Sequence, residues 1–96
     1  MSALMISMIK VKEPAKLQEY LPKVSKIGSS YGAEMVFVGP ATGAITGALD
    51  HQMVVVVRFP TVEDIDALFA SDAYQPLIPL REEAAEMTII KYQEKS

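Results

Sequence analysis

Met53–Phe59 reads MVVVVRF, seven residues in which only Arg58 is not apolar and four β-branched valines run together. Pro60 closes the run. A segment of this length and composition is a strand, and its lack of alternation means that both of its faces are to be buried. Only one other stretch has that character. Ala3–Val11, ALMISMIKV, sets Leu4, Ile6 and Met8 on one side and Met5, Ile9 and Val11 on the other, with Ser7 between them. Two strands with two apolar faces belong in the centre of a sheet.

The segments around them supply the rest of the sheet and its cover. Pro14 opens a helix at a first-turn position, where its missing N–H costs nothing. Leu17, Tyr20, Leu21, Val24, Ile27 and Tyr31 follow a helical stripe, interrupted by Pro22, which is expected to kink it and free the Gln18 carbonyl. Gly32 is a natural stop. Ala33–Val38, AEMVFV, alternates as a strand, and the GPATGAITGALDHQ that follows predicts a long, bulged hairpin arm. Thr61 caps a second helix with Asp64 in the capping-box position, and Val62, Ile65, Leu68 and Phe69 form its buried stripe. Glu82–Glu86 reads as a polar turn, and Met87–Tyr92, MTIIKY, as the last strand. The order β-α-β-β-α-β is that of a ferredoxin-like α+β fold with a four-stranded antiparallel sheet, in which strands one and three are central. Residues 1–96 then make a single domain.

Helices can cover only one face of such a sheet, so the other needs a second cover. A bare face of Met, Val and Ile exceeds what monomers usually expose. A homodimer packed sheet to sheet, burying about 800 Å² per subunit or more, meets that need.

Net charge narrows the partners. Nine basic residues are scattered among twelve acidic ones, for a net charge of −3. A phosphate backbone calls for clustered excess Lys and Arg, so nucleic acid is not expected, and neither is a membrane surface. There are no cysteines, which removes disulfides and thiolate chemistry and fits a cytoplasmic location. No apolar run approaches the ~18 residues of a membrane span, and MSALMISMIKVK lacks the basic start of a secretory signal.

Among residues able to carry chemistry, His51 is the sole histidine and sits in a hairpin, without the orienting partner and cleft that a general base needs. Asp50, its neighbour, would point to the opposite face of a strand. Glu82, Glu83 and Glu86 lack a histidine motif and read as a solvated surface, so no metal is expected. Gly39, Gly43 and Gly47 precede no GK[ST] and give backbone freedom rather than a phosphate loop. The serines lack a nucleophile-elbow context, and Ser71 is more useful as a cap.

The segment Ser71–Arg81, SDAYQPLIPLR, holds the most suggestive pair. Tyr74, Leu77, Ile78 and Arg81 share one helical face, although Pro76 and Pro79 must divide it into short turns. A guanidinium in an apolar stripe calls for a carboxylate of its own chain, such as Glu34 or Asp72, or for an anionic or carbonyl-bearing ligand.

The residues YGA at 31–33, FP at 59–60 and LFASDAYQPLIPLR at 68–81 resemble domain-of-unknown-function family 1330 (DUF1330). The matching positions are Phe69, Ser71, Tyr74, Gln75, Leu77, Leu80 and Arg81, with Ser30, Tyr31 and Gly32 at the end of the first helix. The resemblance implies the dimeric α+β barrel superfamily, with a pocket beside the sheet that some relatives use for cofactor-free oxygenation, isomerisation or haem binding. It implies no particular reaction. Relatives carry a Trp and an Arg between strands two and three, where this chain has ITGALDHQMV and keeps only Gly47.

Two expectations follow. One is a small-molecule binder or enzyme without metal or cofactor, acting on a carbonyl, aromatic or lactone compound. Its candidate ligand residues are Arg81, Tyr74, Tyr31 and His51, with methionines lining the pocket. The other is a dimeric interaction or stress-associated module in which Arg81 and Tyr74 are purely structural.

Overall fold

The computed structural model describes residues 2–95. Strand β1 (Ala3–Val11) leads into helix α1 (Pro14–Ser29), followed by strands β2 (Glu34–Pro40) and β3 (Met53–Phe59). Helix α2 (Val62–Ala70), a 3-10 turn (Gln75–Leu77), helix α3 (Ile78–Ala84) and strand β4 (Ala85–Gln93) complete the chain. The sheet order is β2-β3-β1-β4 with every pair antiparallel, so the two strands without alternation are the central ones.

Register assigns the faces. Met5 pairs with Val57 and Ile9 with Met53 on the side the helices cover. Ile6 lies opposite both Val56 and Ile90 on the other side. The covered side carries the core, in which Ile9, Phe59, Ile65, Leu68 and Tyr74 are nearly inaccessible. No helix among the described residues lies over the other side. Phe37, Ile90 and Tyr92 lie largely open there, and Leu4, Ile6, Met8, Val54 and Val56 are only half-buried.

The predicted stops and caps hold, each for a visible reason. Gly32 ends α1 with φ +80°, and a Cβ there would stand 2.7 Å from Pro60 Cγ. Both backbone conformation and space therefore require glycine. The Asp64 N–H donates to Thr61 Oγ1 at 3.1 Å, and the Thr61 hydroxyl donates to Asp64 Oδ2 at 2.8 Å. Pro22 lies inside α1 without ending it.

Three details differ from the sequence reading. Glu82–Glu86 is not a turn, since Glu82, Glu83 and Ala84 finish α3 and Glu86 already belongs to β4. Pro79 sits in the first turn of α3, where it favours a helix. Glu82 and Glu83 are neutralised by Arg81 and Lys16. The Ala84 carbonyl then accepts from the N–H groups of Lys12 and Glu13, which fastens the end of α3 to the start of α1. β4 starts earlier than read because Ala85 still pairs with Val11. In β2 the alternation is broken at Val36: Met35 pairs with Val57 and Phe37 with Val56. That bulge sends Met35 and Phe37 to opposite faces.

Candidate functional site

The space between α1, α2 and the covered face of the sheet is not completely filled. A cavity of about 430 Å³ remains there. Its floor is Met5, Ser7, Val55, Val57 and Met87, and its roof comes from Leu21, Val24 and Gly28 of α1. Met35 and Val38 of β2, each about half exposed, border it at the edge of the sheet. The lining is almost wholly apolar. Ser7, 5% exposed, is a buried polar exception, and its hydroxyl reaches only the Met87 sulfur at 3.9 Å. The other is Tyr20, 3% exposed.

Tyr20 is the inner end of a polar chain built by three segments. It stands in the buried stripe of α1, where its ring packs edge-on to Tyr74 at 6.5 Å between centroids. The hydroxyls of Tyr20 and Tyr74 are 2.8 Å apart. Tyr74 is placed by the turn after α2. The Ser71 hydroxyl donates to the Leu68 carbonyl at 2.6 Å and accepts from the Tyr74 N–H at 3.2 Å. Phe69 backs the Tyr74 ring edge-on at 4.8 Å. Pro76 opens the 3-10 turn and Pro79 opens α3, each at a first-turn position where no N–H is needed. The two short pieces carry Arg81 back over Tyr74, and Arg81 Nη1 donates to the Tyr74 hydroxyl at 2.8 Å.

The outer end of the chain is ionic. Arg81 Nη2 donates to Glu82 Oε1 at 2.8 Å, so its carboxylate partner is neither Glu34 nor Asp72. Glu34 instead lies opposite Arg58 in the sheet, and Arg58 Nε donates to Glu94 at 2.7 Å. Burial opposes the charge on Arg81, but its hydrogen bonds to Glu82 and Tyr74 outweigh it and keep the guanidinium firmly protonated. The same contact holds the Glu82 carboxyl below its ordinary value. Burial pushes the Tyr20 phenol far upward, so it is a neutral hydroxyl at any physiological pH.

The other two candidates stand apart from this chain. Tyr31 follows α1, donates its backbone N–H to Gly28 O at 2.9 Å and does not border the cavity. His51 lies beyond the opposite face, in a depression of about 310 Å³ shared with Met8, Lys10, Asp50, Glu86 and Thr88. Its Nδ1 is 3.1 Å from Asp50 Oδ1, a contact that strand geometry would forbid. It forms because β3 begins only at Met53. No group of three or more His, Asp or Glu side chains able to hold a metal occurs among the described residues.

Tyr20 was not legible as a site residue, because it fits the apolar stripe of α1 without a break. The available signal was that a buried tyrosine usually needs a partner for its hydroxyl.

Solved structures share this architecture. The RPA0582 protein of unknown function from Rhodopseudomonas palustris superposes with a TM-score of 0.79 at 14% identity, over 99% of this chain and 83% of that one. A dimeric ferredoxin-like protein of unknown function from Jannaschia sp. CCS1 gives 0.74 at 8% identity, over 98% and 100%. SnoaB, a cofactor-independent oxygenase from Streptomyces nogalater, gives 0.72 at 8% identity, over 99% and 94%. At these identities the likeness is one of fold. No curated protein matches the sequence. No helix among the described residues is long and apolar enough to cross a membrane. The family model described as "Domain of unknown function (DUF1330)" matches residues 2–93, and with the ferredoxin-like sheet and helices in place, the chain belongs to that family.

Proposed function

We propose that this protein is a cytoplasmic homodimer that binds a small apolar molecule, a ring-bearing carbonyl, aromatic or lactone compound, in the cavity between α1, α2 and the sheet. The observation that carries the reading is the cavity itself. Its 430 Å³ lies within the roughly 300–1,000 Å³ of small-molecule sites. It is apolar apart from a few polar groups, as such sites are. The description of SnoaB as a cofactor-independent oxygenase supports the idea that this architecture can host chemistry without a cofactor.

The dimer in this reading covers the open face of the sheet. Phe37, Ile90 and Tyr92 expose 52%, 37% and 46% of their surface there, on a face that the fold leaves without a helix. The neighbour described as a dimer supports the same arrangement. Light scattering at micromolar concentration is expected to give twice the 10.5 kDa of one chain. A monomer would refute the dimer.

A binding experiment tests the cavity. The chain has no tryptophan, so Val24→Trp both fills the roof of the cavity and reports on it. Saturation-transfer NMR with naphthalene is expected to show binding to the natural chain and none to Val24→Trp. Equal signals from the two would refute the site. The ion pair between Arg81 and Glu82 favours a second reading, a dimeric interaction module in which Arg81 and Tyr74 only tie α3 to α1. Under that reading neither protein binds the probe.

A further inference from the structure

The two buried phenols give the polar chain a direction. A guanidinium can only donate, so the Tyr74 hydroxyl oxygen accepts from Arg81 Nη1. Two phenolic protons remain, and one of them occupies the 2.8 Å contact between Tyr20 and Tyr74. Suppose Tyr20 donated it. The Tyr74 proton would then be stranded, because Tyr74 is 1% exposed and does not border the cavity, and its hydroxyl bonds only to Arg81 and Tyr20 among the described residues. Suppose instead that Tyr74 donates. The proton left over is then that of Tyr20, which does border the cavity. Buried donors are seldom left unpaired. The second arrangement is the one the fold can satisfy, by holding an acceptor in the cavity.

We infer that Tyr20 is the recognition residue of the cavity, offering its O–H to a neutral acceptor oxygen, the carbonyl of a ketone, aldehyde or lactone on an apolar ring. Arg81 and Tyr74 are positioning residues behind it. The inference rests on the cavity being a binding site, as proposed above. Hydrogen bonds in series polarise one another, so the Arg81 cation strengthens the Tyr20 donor without touching the ligand. The same geometry argues against a carboxylate. Arg81 does not border the cavity, so an anion would be buried among apolar side chains without a cation beside it. Ser7 is the other buried polar group there, and its hydroxyl already faces the Met87 sulfur.

Two probes that differ by one carbonyl test this on the full chain. 1-Tetralone and tetralin share a ring system, and their affinities can be compared by protein-observed NMR titration. One hydrogen bond predicts that tetralone binds about 3–10-fold more tightly. Tyr20→Phe is expected to keep the tetralin affinity and lose the preference. Tyr74→Phe is expected to keep a smaller preference, since the Tyr20 proton remains available but is no longer polarised. A preference that survives Tyr20→Phe, or equal binding of the two probes by the natural chain, would overturn the role of Tyr20. A preference that rises in Tyr74→Phe would reverse the direction of the chain. Should Tyr20→Phe fold poorly, the natural chain labelled with ¹³C at tyrosine Cζ gives the same answer. The Tyr20 signal, one of four tyrosines, should then move with tetralone and not with tetralin. If neither probe binds the natural chain, the cavity reading itself fails and this inference falls with it.

Discussion

Replacing Tyr74 by Phe is the sharpest test of the polar chain as a structural element. The substitution keeps the ring and its edge-on contact with Phe69 at 4.8 Å, and it removes only the hydroxyl. That hydroxyl accepts from a guanidinium and contacts Tyr20, both at 2.8 Å. A hydrogen bond to a charged group contributes about 1.5–3 kcal/mol and a neutral one about 0.5–1.5 kcal/mol. The Arg81 side chain is 21% exposed and keeps Glu82, so water recovers part of the first contribution. Tyr20, 3% exposed, has no such recourse for its oxygen. The net loss expected is about 2–4 kcal/mol, or a fall in melting temperature on the order of 10–25 °C for a chain of this size. Urea unfolding followed by circular dichroism, at one fixed protein concentration, measures it. Tyr20→Phe alone should cost less, since it breaks only the neutral bond. The double variant should fall short of the sum by about 1 kcal/mol, because each single change strands the hydroxyl that the other would remove. A loss below about 0.5 kcal/mol for Tyr74→Phe, or strict additivity, would show that these hydroxyls are not coupled as described.

Three further outcomes follow from the geometry. Gly32→Ala should cost more than Gly47→Ala. Both residues have positive φ, worth roughly 1–2 kcal/mol for a side chain, but only Gly32 also meets Pro60; equal losses in urea would contradict this. Because Arg81 holds Glu82 below its ordinary value of 4.5, the stability from that contact is complete above pH 4.5 and is lost as the pH falls through the lower folded value. Glu82→Gln should therefore flatten the acid limb of a melting-temperature profile, and an unchanged limb would place that stability elsewhere. Val56→Lys puts a charge in the middle of the open face, opposite Ile6 and Phe37, and should halve the mass seen by light scattering while the circular dichroism stays native. An unchanged mass would remove that face from the dimer interface.

Much of the fold was legible because its signals are local. MVVVVRF and ALMISMIKV have no polar face, and the fold gives them the two central positions. The Thr61 cap and the Gly32 stop likewise follow from the chemistry of one or two residues. The segment Ser71–Arg81 was legible in outline: two prolines in first-turn positions divide it, yet Tyr74 and Arg81 still meet. Tyr20 was hidden because a helical stripe reports which side of a helix is buried and not what its hydroxyl meets. Its partner is 54 residues away. The Glu82–Glu86 run misled because a string of acids reads as solvent-facing, and solvent-facing was equated with a turn. The cations that let Glu82 and Glu83 sit on a helix come from Arg81 beside them and from Lys16 on another element.

The sequence by itself determined the order of the four strands and the two longer helices, the identity of the central strands and the apolar character of the sheet face that the helices leave open. Periodicity and composition act over a few residues and are complete before the chain folds. Only the tertiary structure decided what depends on distances between remote segments. It set the bulge at Val36 that sends Phe37 outward and Met35 toward the cavity. It left a space between α1 and the sheet. It brought the Tyr74 hydroxyl, already bonded to Arg81, against that of Tyr20 on α1. Register, packing volume and hydrogen-bond direction arise when α1, α3 and the sheet come together, and no short window of sequence contains them.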